Sequence, residues 1–215
     1  FSEKDGQPFF SLVFTSSNHK PFDIPEGKVR AISGPDGGRD TAVHYADYAL
    51  GKYFELARLS SYYQNTVFLV VSDHNSRVYG DQLVPIERFH IPGVILGNSI
   101  EPRRIAGISS QIDLFPTLLS LIGVNGRHPA IGYDLTTPEY FNGAGRAQMQ
   151  FNDVQAWMVP GKVVILQHDL PMQIFSYQPG GKLVPDPQTN RELKHQALAH
   201  ALFAPMMIRN KAYRP

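Results

Sequence analysis

The run Thr66-Val-Phe-Leu-Val-Val-Ser-Asp-His74 constrains the fold of this chain more than any other segment. Five consecutive apolar residues, rich in valine and bounded by polar residues, are typical of a strand buried on both faces of a sheet. Open α/β sheets place their chemistry at the carboxyl ends of such strands. The run therefore predicts a central sheet strand that ends in two polar side chains, Asp73 and His74.

Asp73 and His74 offer a carboxylate oxygen and an imidazole nitrogen, and both atom types bind divalent cations. Adjacent residues of a regular strand point to opposite faces of the sheet. Both side chains can therefore reach one ion only if the chain leaves the strand at Ser72. We expect such a strand-end loop and a metal site formed by this pair. The alternative is a solvated polar pair at a strand exit.

Two further apolar runs predict strands at 8–15 and 91–96. Apolar residues recur near the helical period over 41–63, between the first of these strands and the strand at 66–72. A helix between two strands is the usual crossover of a parallel sheet. We therefore expect the three strands to be parallel neighbours in one doubly wound sheet, with this helix and a second helix at 113–122 packed on it.

The second predicted helix has residues typical of helix termini at both of its ends. Asp113 can cap it, Pro116 falls in its first turn, and Gly123 suits a left-handed stop. This pattern gives Asp113 a structural role as a helix cap in place of a catalytic one.

Short alternating segments follow residue 145, separated by Pro160-Gly161 and Pro179-Gly-Gly181. They predict an antiparallel meander. The capping box Thr189-x-x-Glu192 then opens a terminal helix. The apolar face of that helix would comprise Leu193, Ala197, Leu198, Ala201 and Leu202. We therefore divide the chain into an α/β domain at 1–145 and a meander with its helix at 146–215.

Composition argues against several classes of function. The 20 basic and 19 acidic residues give a net charge of +1, and no Lys/Arg run is present, so we expect no nucleic-acid partner. The absence of cysteine excludes a disulfide framework and a Cys-based metal site. No apolar stretch approaches the roughly 20 residues of a membrane span, so we expect none within this chain.

Four segments form an ordered set: Phe14-Thr-Ser-Ser-Asn-His-Lys-Pro-Phe22, the strand ending in Ser72-Asp-His74, Phe89-His-Ile-Pro-Gly-Val-Ile-Leu-Gly97, and Gln111-Ile-Asp-Leu-Phe-Pro-Thr-Leu-Leu-Ser-Leu-Ile-Gly123. The set resembles the C-terminal half of a sulfatase-type enzyme of the alkaline-phosphatase superfamily. The first segment is similar to the branch of lipoteichoic-acid synthases and bacterial phosphoglycerol transferases. The resemblance covers about residues 8–136.

This resemblance implies a metal-dependent sulfatase-like hydrolase or phosphoglycerol transferase. Its substrates would be phosphate or sulfate esters or a phospholipid headgroup. It would work at the bacterial inner membrane, facing the periplasm or the outside. The implied cofactor is a divalent cation at Asp73 and His74, with Mn²⁺ first and Zn²⁺, Mg²⁺ or Ca²⁺ as alternatives.

The same resemblance implies two substrate-binding residues. His19 would lie in the headgroup pocket, where it could donate to a phosphoryl or sulfuryl oxygen, and we expect it to converge with Asp73 and His74 on one pocket. The alternative for His19 is a loop histidine that caps a turn. Arg77 would meet an anionic headgroup, or else belong to a solvated polar loop.

The nucleophile of this superfamily is a Thr, Ser or modified Cys carried in the N-terminal half, which also supplies a further carboxylate ligand. Thr15, Ser16 and Ser17 do not match that motif. We therefore expect an N-terminal half outside these residues, preceded by membrane helices, and no activity from these 215 residues alone. The alternatives are a non-catalytic envelope-binding or regulatory domain of the same fold, and an unrelated doubly wound domain with an incidental Asp-His pair.

Overall fold

The computed structural model divides into two compact units, Phe1–Thr66 and Val67–Pro215. The meander and the terminal helix predicted for 146–215 lie within the second unit. The structure describes residues 7–32, 38–75, 80, 82–141 and 143–212.

The first unit contains the helix α1, Gly38–Ala57, which confirms the helix expected over 41–63. The helix ends six residues earlier than predicted, and a 3₁₀ turn at Tyr63–Asn65 follows it. At its start, Thr41 is buried and its hydroxyl oxygen accepts a hydrogen bond of 2.8 Å from the Ile32 N–H.

The predicted strand at 8–15 is wrong. All of these residues are described by the structure, and they form neither helix nor strand. The Phe10 side chain is 82% exposed and that of Phe14 is 71% exposed. A strand requires a neighbour that accepts and donates its backbone hydrogen bonds, and an apolar run by itself does not supply one.

The strand β1, Phe68–Val71, pairs with β2, Gly93–Leu96, in an antiparallel ladder that places Val71 opposite Gly93. The predicted parallel arrangement is therefore wrong. Parallel strands need a crossover, usually a helix, but the described part of this connection contains only a 3₁₀ turn at Ile86–Phe89. Burial on both faces is wrong as well, since Val71 is 36% exposed. A short apolar run specifies neither the direction of its partner nor its burial.

The helix α2, Leu114–Leu121, follows a 3₁₀ turn at Gln111–Asp113 and confirms the helix expected at 113–122. Gly123 adopts φ +73°, and the Val124 N–H donates to the Leu119 carbonyl at 2.9 Å. This left-handed stop is the one that the glycine predicted. A further helical turn, α3, spans Pro138–Phe141.

The second sheet is the predicted antiparallel meander, in which each strand pairs with the next. Its turns fall where the sequence placed them, with Gly161 at φ +73°, Gly180 at +78° and Gly181 at +76°. Only glycine adopts this left-handed region without steric cost, so these residues set two of the four connections of the sheet. The strands are β3 Ala147–Phe151, β4 Val154–Val159, β5 Lys162–Leu166, β6 Gln173–Gln178 and β7 Lys182–Pro185.

Both faces of this sheet are covered. Val163 and Ile165 of the central strand β5 pack with Val84 on one face, and Val164 packs with Trp157 on the other. Successive strand residues point to opposite faces, so the continuous apolar run of β5 matches burial on both sides.

The terminal helix α4, Arg191–Arg209, is present as predicted, but its cap is not. The Asn190 side-chain oxygen accepts a 2.9 Å hydrogen bond from the Leu193 N–H, so Asn190 is the N-cap and the box assigned to Thr189 is wrong. The two residues are adjacent and both are good caps, so the entry angle of the chain decides between them. Among the described residues, no helix has the length and apolar character that a membrane span requires.

The apolar face predicted for α4 is only partly buried. Leu193 and Ala197 pack against the sheet, whereas Leu198 and Leu202 are exposed. One turn after Ala197, the His200 ring lies against the Trp157 ring with a centroid distance of 4.0 Å. The contact of α4 with the sheet thus includes a half-buried imidazole.

This imidazole makes the stability of the second unit dependent on pH. Burial lowers the pKa of His200 below its usual value of 6.5, and the nearby Arg146 guanidinium lowers it further. The unfolded chain therefore binds the proton more tightly than the folded protein does, so the free energy of unfolding decreases as pH falls through 6.5. We expect the urea midpoint to fall between pH 7.5 and 5.5, and His200→Gln to remove part of that decrease.

The matched control is His195→Gln on the exposed side of the same helix, which should retain the wild-type pH dependence. Equal pH dependence of wild type and His200→Gln would contradict the prediction.

Candidate functional site

The predicted strand exit at Ser72 is present. β1 ends at Val71, and the Ser72 N–H makes a last hydrogen bond of 3.2 Å to the Pro92 carbonyl before the chain bends at Asp73 and His74. The bend frees the two residues from the alternation of a regular strand. Their side chains therefore lie on the same side, as the metal hypothesis requires.

Hydrogen bonds within the bend orient both side chains. The His74 N–H donates to Asp73 Oδ1 at 2.8 Å, and His74 Nδ1 lies 2.8 Å from the Asn75 carbonyl oxygen. Because a carbonyl only accepts, Nδ1 carries the proton in this contact, and Nε2 is the nitrogen that can bind a cation. Nε2 lies 3.2 Å from Asp73 Oδ2.

The distance between these two atoms fits a shared cation. Nitrogen and oxygen donors bind transition metals at about 2.0–2.2 Å, which places neighbouring donors of one ion roughly 3.0–3.5 Å apart. The observed 3.2 Å lies within that interval. The side chains are 48% exposed for Asp73 and 60% for His74, so the pair is accessible from solvent. Among the described residues, no group of three or more His, Cys, Asp or Glu side chains could hold a metal.

Gln111 is a residue at this site that the sequence did not single out. Its Nε2 donates to the Ser72 carbonyl at 3.0 Å and to the Asp73 carbonyl at 2.9 Å. The contact joins residues 38 and 39 positions apart in the sequence, and neither periodicity nor spacing signals it.

His19 and Arg77, the two predicted substrate-binding residues, are not tested by this geometry. His19 lies in an exposed turn of the first unit, in which its N–H donates to the Ser16 carbonyl at 3.1 Å and its carbonyl accepts from the Phe22 N–H at 2.7 Å. Its convergence with Asp73 and His74 stays a prediction. Arg77 lies outside the described residues.

Asp113 is the N-cap residue of α2 as predicted, but its side chain bonds no backbone N–H of α2; with Ser110 it forms the capping box of the preceding 3₁₀ turn. Its Oδ2 accepts from the Ser110 N–H at 2.8 Å, and its Oδ1 accepts from the Tyr133 N–H at 2.8 Å and from Arg146 Nη1 at 2.5 Å. Asp113 is 1% exposed and Arg146 is 3% exposed. The sequence could not indicate this buried ion pair because its members lie 33 residues apart.

The solved structures define the class of fold. A protein of the alkaline phosphatase superfamily from Vibrio parahaemolyticus is 41% identical and matches with a TM-score of 0.87, over 97% of this chain and 51% of that one. The family model described as Sulfatase matches residues 1–124, more than half of the chain. The chain therefore belongs to the sulfatase family, and the resemblance inferred from its motifs is confirmed.

Curated relatives place the chain near the lipoteichoic acid synthases. The lipoteichoic acid synthase-like protein YvgJ of Bacillus subtilis (strain 168) is 29% identical, over 55% of this chain and 23% of its own. Lipoteichoic acid synthase 1 of the same strain is 25% identical, over 62% of this chain and 24% of its own. This chain thus spans about a quarter of the length of these relatives.

The buried ion pair generates a test of stability. Asp113→Ala or Arg146→Met leaves one charge buried without its partner, and we expect each to lower the free energy of unfolding by about 3–5 kcal/mol. The double variant leaves no buried charge, so its loss should be smaller than the sum of the two single losses. Urea denaturation of the 215-residue chain measures all three values.

His168→Ala serves as the control, because it removes a contact with Asp169 in which both side chains are more than four-fifths exposed. It should change the free energy of unfolding by no more than about 0.5 kcal/mol. Strict additivity of the two ion-pair substitutions would contradict the assigned coupling.

Proposed function

We propose that this chain supplies Asp73 and His74 to the divalent-cation site of a sulfatase-family enzyme, a hydrolase or phosphoglycerol transferase acting on phosphate or sulfate esters at the bacterial cell envelope. The observation that carries the proposal is the 3.2 Å separation of Asp73 Oδ2 and His74 Nε2 at the end of β1. Family membership supports the class of reaction, and the names of the lipoteichoic acid synthase relatives support the envelope substrate.

The donor set favours Mn²⁺ or Zn²⁺. Mg²⁺ and Ca²⁺ prefer oxygen donors throughout, whereas an imidazole nitrogen beside a carboxylate oxygen suits transition metals. A bound cation would supply positive charge that polarises a phosphoryl or sulfuryl oxygen. The Asp73 carboxylate would offset part of that charge, and the Asn75 carbonyl holds the His74 ring with Nε2 available.

His19 and Arg77 complete the proposal as substrate-binding residues. An imidazole N–H and a guanidinium both donate to anionic oxygens, so either side chain could recognise the charged headgroup of an ester substrate. We propose that they recognise the shared chemistry of a phosphate or sulfate group. The family resemblance further suggests action at the outer side of the inner membrane.

We also propose that the 215-residue chain binds the cation weakly and turns over no ester by itself. Asp73 and His74 supply two donors, whereas Mn²⁺ and Zn²⁺ take four to six. A non-catalytic envelope-binding domain of the same fold is the alternative, and it predicts that cation binding does not depend on this pair.

Calorimetry with Mn²⁺ tests the site. The wild-type chain should bind with a dissociation constant weaker than about 10 μM, and Asp73→Asn or His74→Ala should remove the binding, because each deletes one of two donors. Asp169→Asn is the matched control, since Asp169 forms an equivalent exposed contact with the adjacent His168 at 2.8 Å. Asparagine also tolerates the positive φ of 57° at that position.

Two results would overturn the proposal. One is Mn²⁺ binding that survives Asp73→Asn but is lost in Asp169→Asn. The other is Mn²⁺-dependent hydrolysis of bis(4-nitrophenyl) phosphate by the 215-residue chain, which would show a catalytic site more complete than the one proposed.

A further inference from the structure

The amide of Gln111 makes a two-point contact with the backbone that carries Asp73 and His74. Its Nε2 lies 3.0 Å from the Ser72 carbonyl oxygen and 2.9 Å from that of Asp73. Of the two terminal atoms of the glutamine amide, only the nitrogen can donate to two carbonyl oxygens, so the contact sets the orientation of the amide. Both hydrogens of this group are therefore used on two successive peptide units of the bend.

Besides Gln111, the Ser72 N–H attaches the start of the bend to the Pro92 carbonyl at 3.2 Å. The Ser72 hydroxyl donates to the His74 carbonyl at 2.8 Å, and the His74 N–H donates to Asp73 Oδ1 at 2.8 Å. These bonds shape the bend internally without attaching it to the rest of the second unit. Gln111 supplies such an attachment from a separate element, the 3₁₀ turn that precedes α2.

One end of that turn is anchored in the protein interior, whereas Gln111 itself is exposed. Asp113, the last residue of the turn, is 1% exposed and accepts hydrogen bonds from the Ser110 N–H, the Tyr133 N–H and Arg146. The backbone on both sides of Gln111 is therefore attached to a buried ion pair. The Gln111 side chain extends from this anchored turn to the exposed bend.

We propose that Gln111 is a positioning residue of the cation site, which holds the two peptide units that follow Ser72 and Asp73 so that Asp73 Oδ2 and His74 Nε2 face one ion. This inference rests on the proposed function of that pair. Gln111 touches neither ion nor substrate in this role. It donates hydrogen bonds to the Ser72 and Asp73 carbonyl oxygens. Because these bonds fix the backbone, they also fix the positions of Asp73 Oδ2 and His74 Nε2.

The positioning role predicts a change in the bend before any cation binds. Gln111→Met keeps the length of the side chain and removes both donors without adding charge. In the metal-free chain, hydrogen exchange of the Ser72 and His74 amides should accelerate about tenfold, while exchange in β3–β5 stays unchanged. Mn²⁺ affinity should fall about tenfold, in line with the effect of partners that orient metal ligands. Gln178→Met on the exposed end of β6 is the matched control.

Exchange and calorimetry separate the two proposals. If the wild-type chain binds no Mn²⁺ while Gln111→Met accelerates hydrogen exchange, the proposed cation site is wrong. Gln111 then only attaches the bend to the 3₁₀ turn, and its positioning role at a cation site is overturned as well. If the wild-type chain binds Mn²⁺ but Gln111→Met changes neither exchange nor affinity, only the positioning role is overturned. Faster exchange with unchanged affinity overturns it too. Faster exchange together with weaker binding, at an unchanged melting temperature, supports it.

Discussion

The buried ion pair between Asp113 and Arg146 organises the second unit of this protein. Removing two charges from water is costly, and the cost is offset only when both groups find several partners. Asp113 accepts three hydrogen bonds, and Arg146 also donates to the Ile131 carbonyl at 3.1 Å and lies 3.9 Å from the centre of the Tyr133 ring. These contacts connect the entry of α2, the segment around Tyr133 and the start of the meander.

Contacts connect this pair to elements on both sides of it in the second unit. In one direction, Arg146 leads into β3, and the sheet carries Trp157, against which His200 of α4 packs. In the other direction, the turn that ends at Asp113 presents Gln111 to the bend after β1. The proposed cation site is exposed and built on a loop, so its geometry depends on support of this kind from a buried element.

The sequence predicted the elements better than their arrangement. Alternation along a strand was enough to require the exit at Ser72, and glycine was enough to place two of the four connections of the meander, β4–β5 and β6–β7. The direction of β1 relative to β2 and the lack of a strand at 8–15 could not be read from apolar runs. Such runs measure hydrophobicity, whereas pairing depends on which backbone hydrogen bonds a neighbour can satisfy.

The sequence by itself indicated the family, the strand exit that carries Asp73 and His74, and the helices and hairpins whose signals lie within a few residues of one another. Only the tertiary structure decided which distant groups meet: Gln111 with the Ser72 and Asp73 carbonyls, and Asp113 with Arg146. Local sequence signals are enough to predict a helix end, a turn or a strand exit, because sterics and periodicity act over one turn or one strand. Contacts across more than 30 residues depend on how the whole chain packs, since burial and hydrogen bonding are satisfied jointly and not residue by residue.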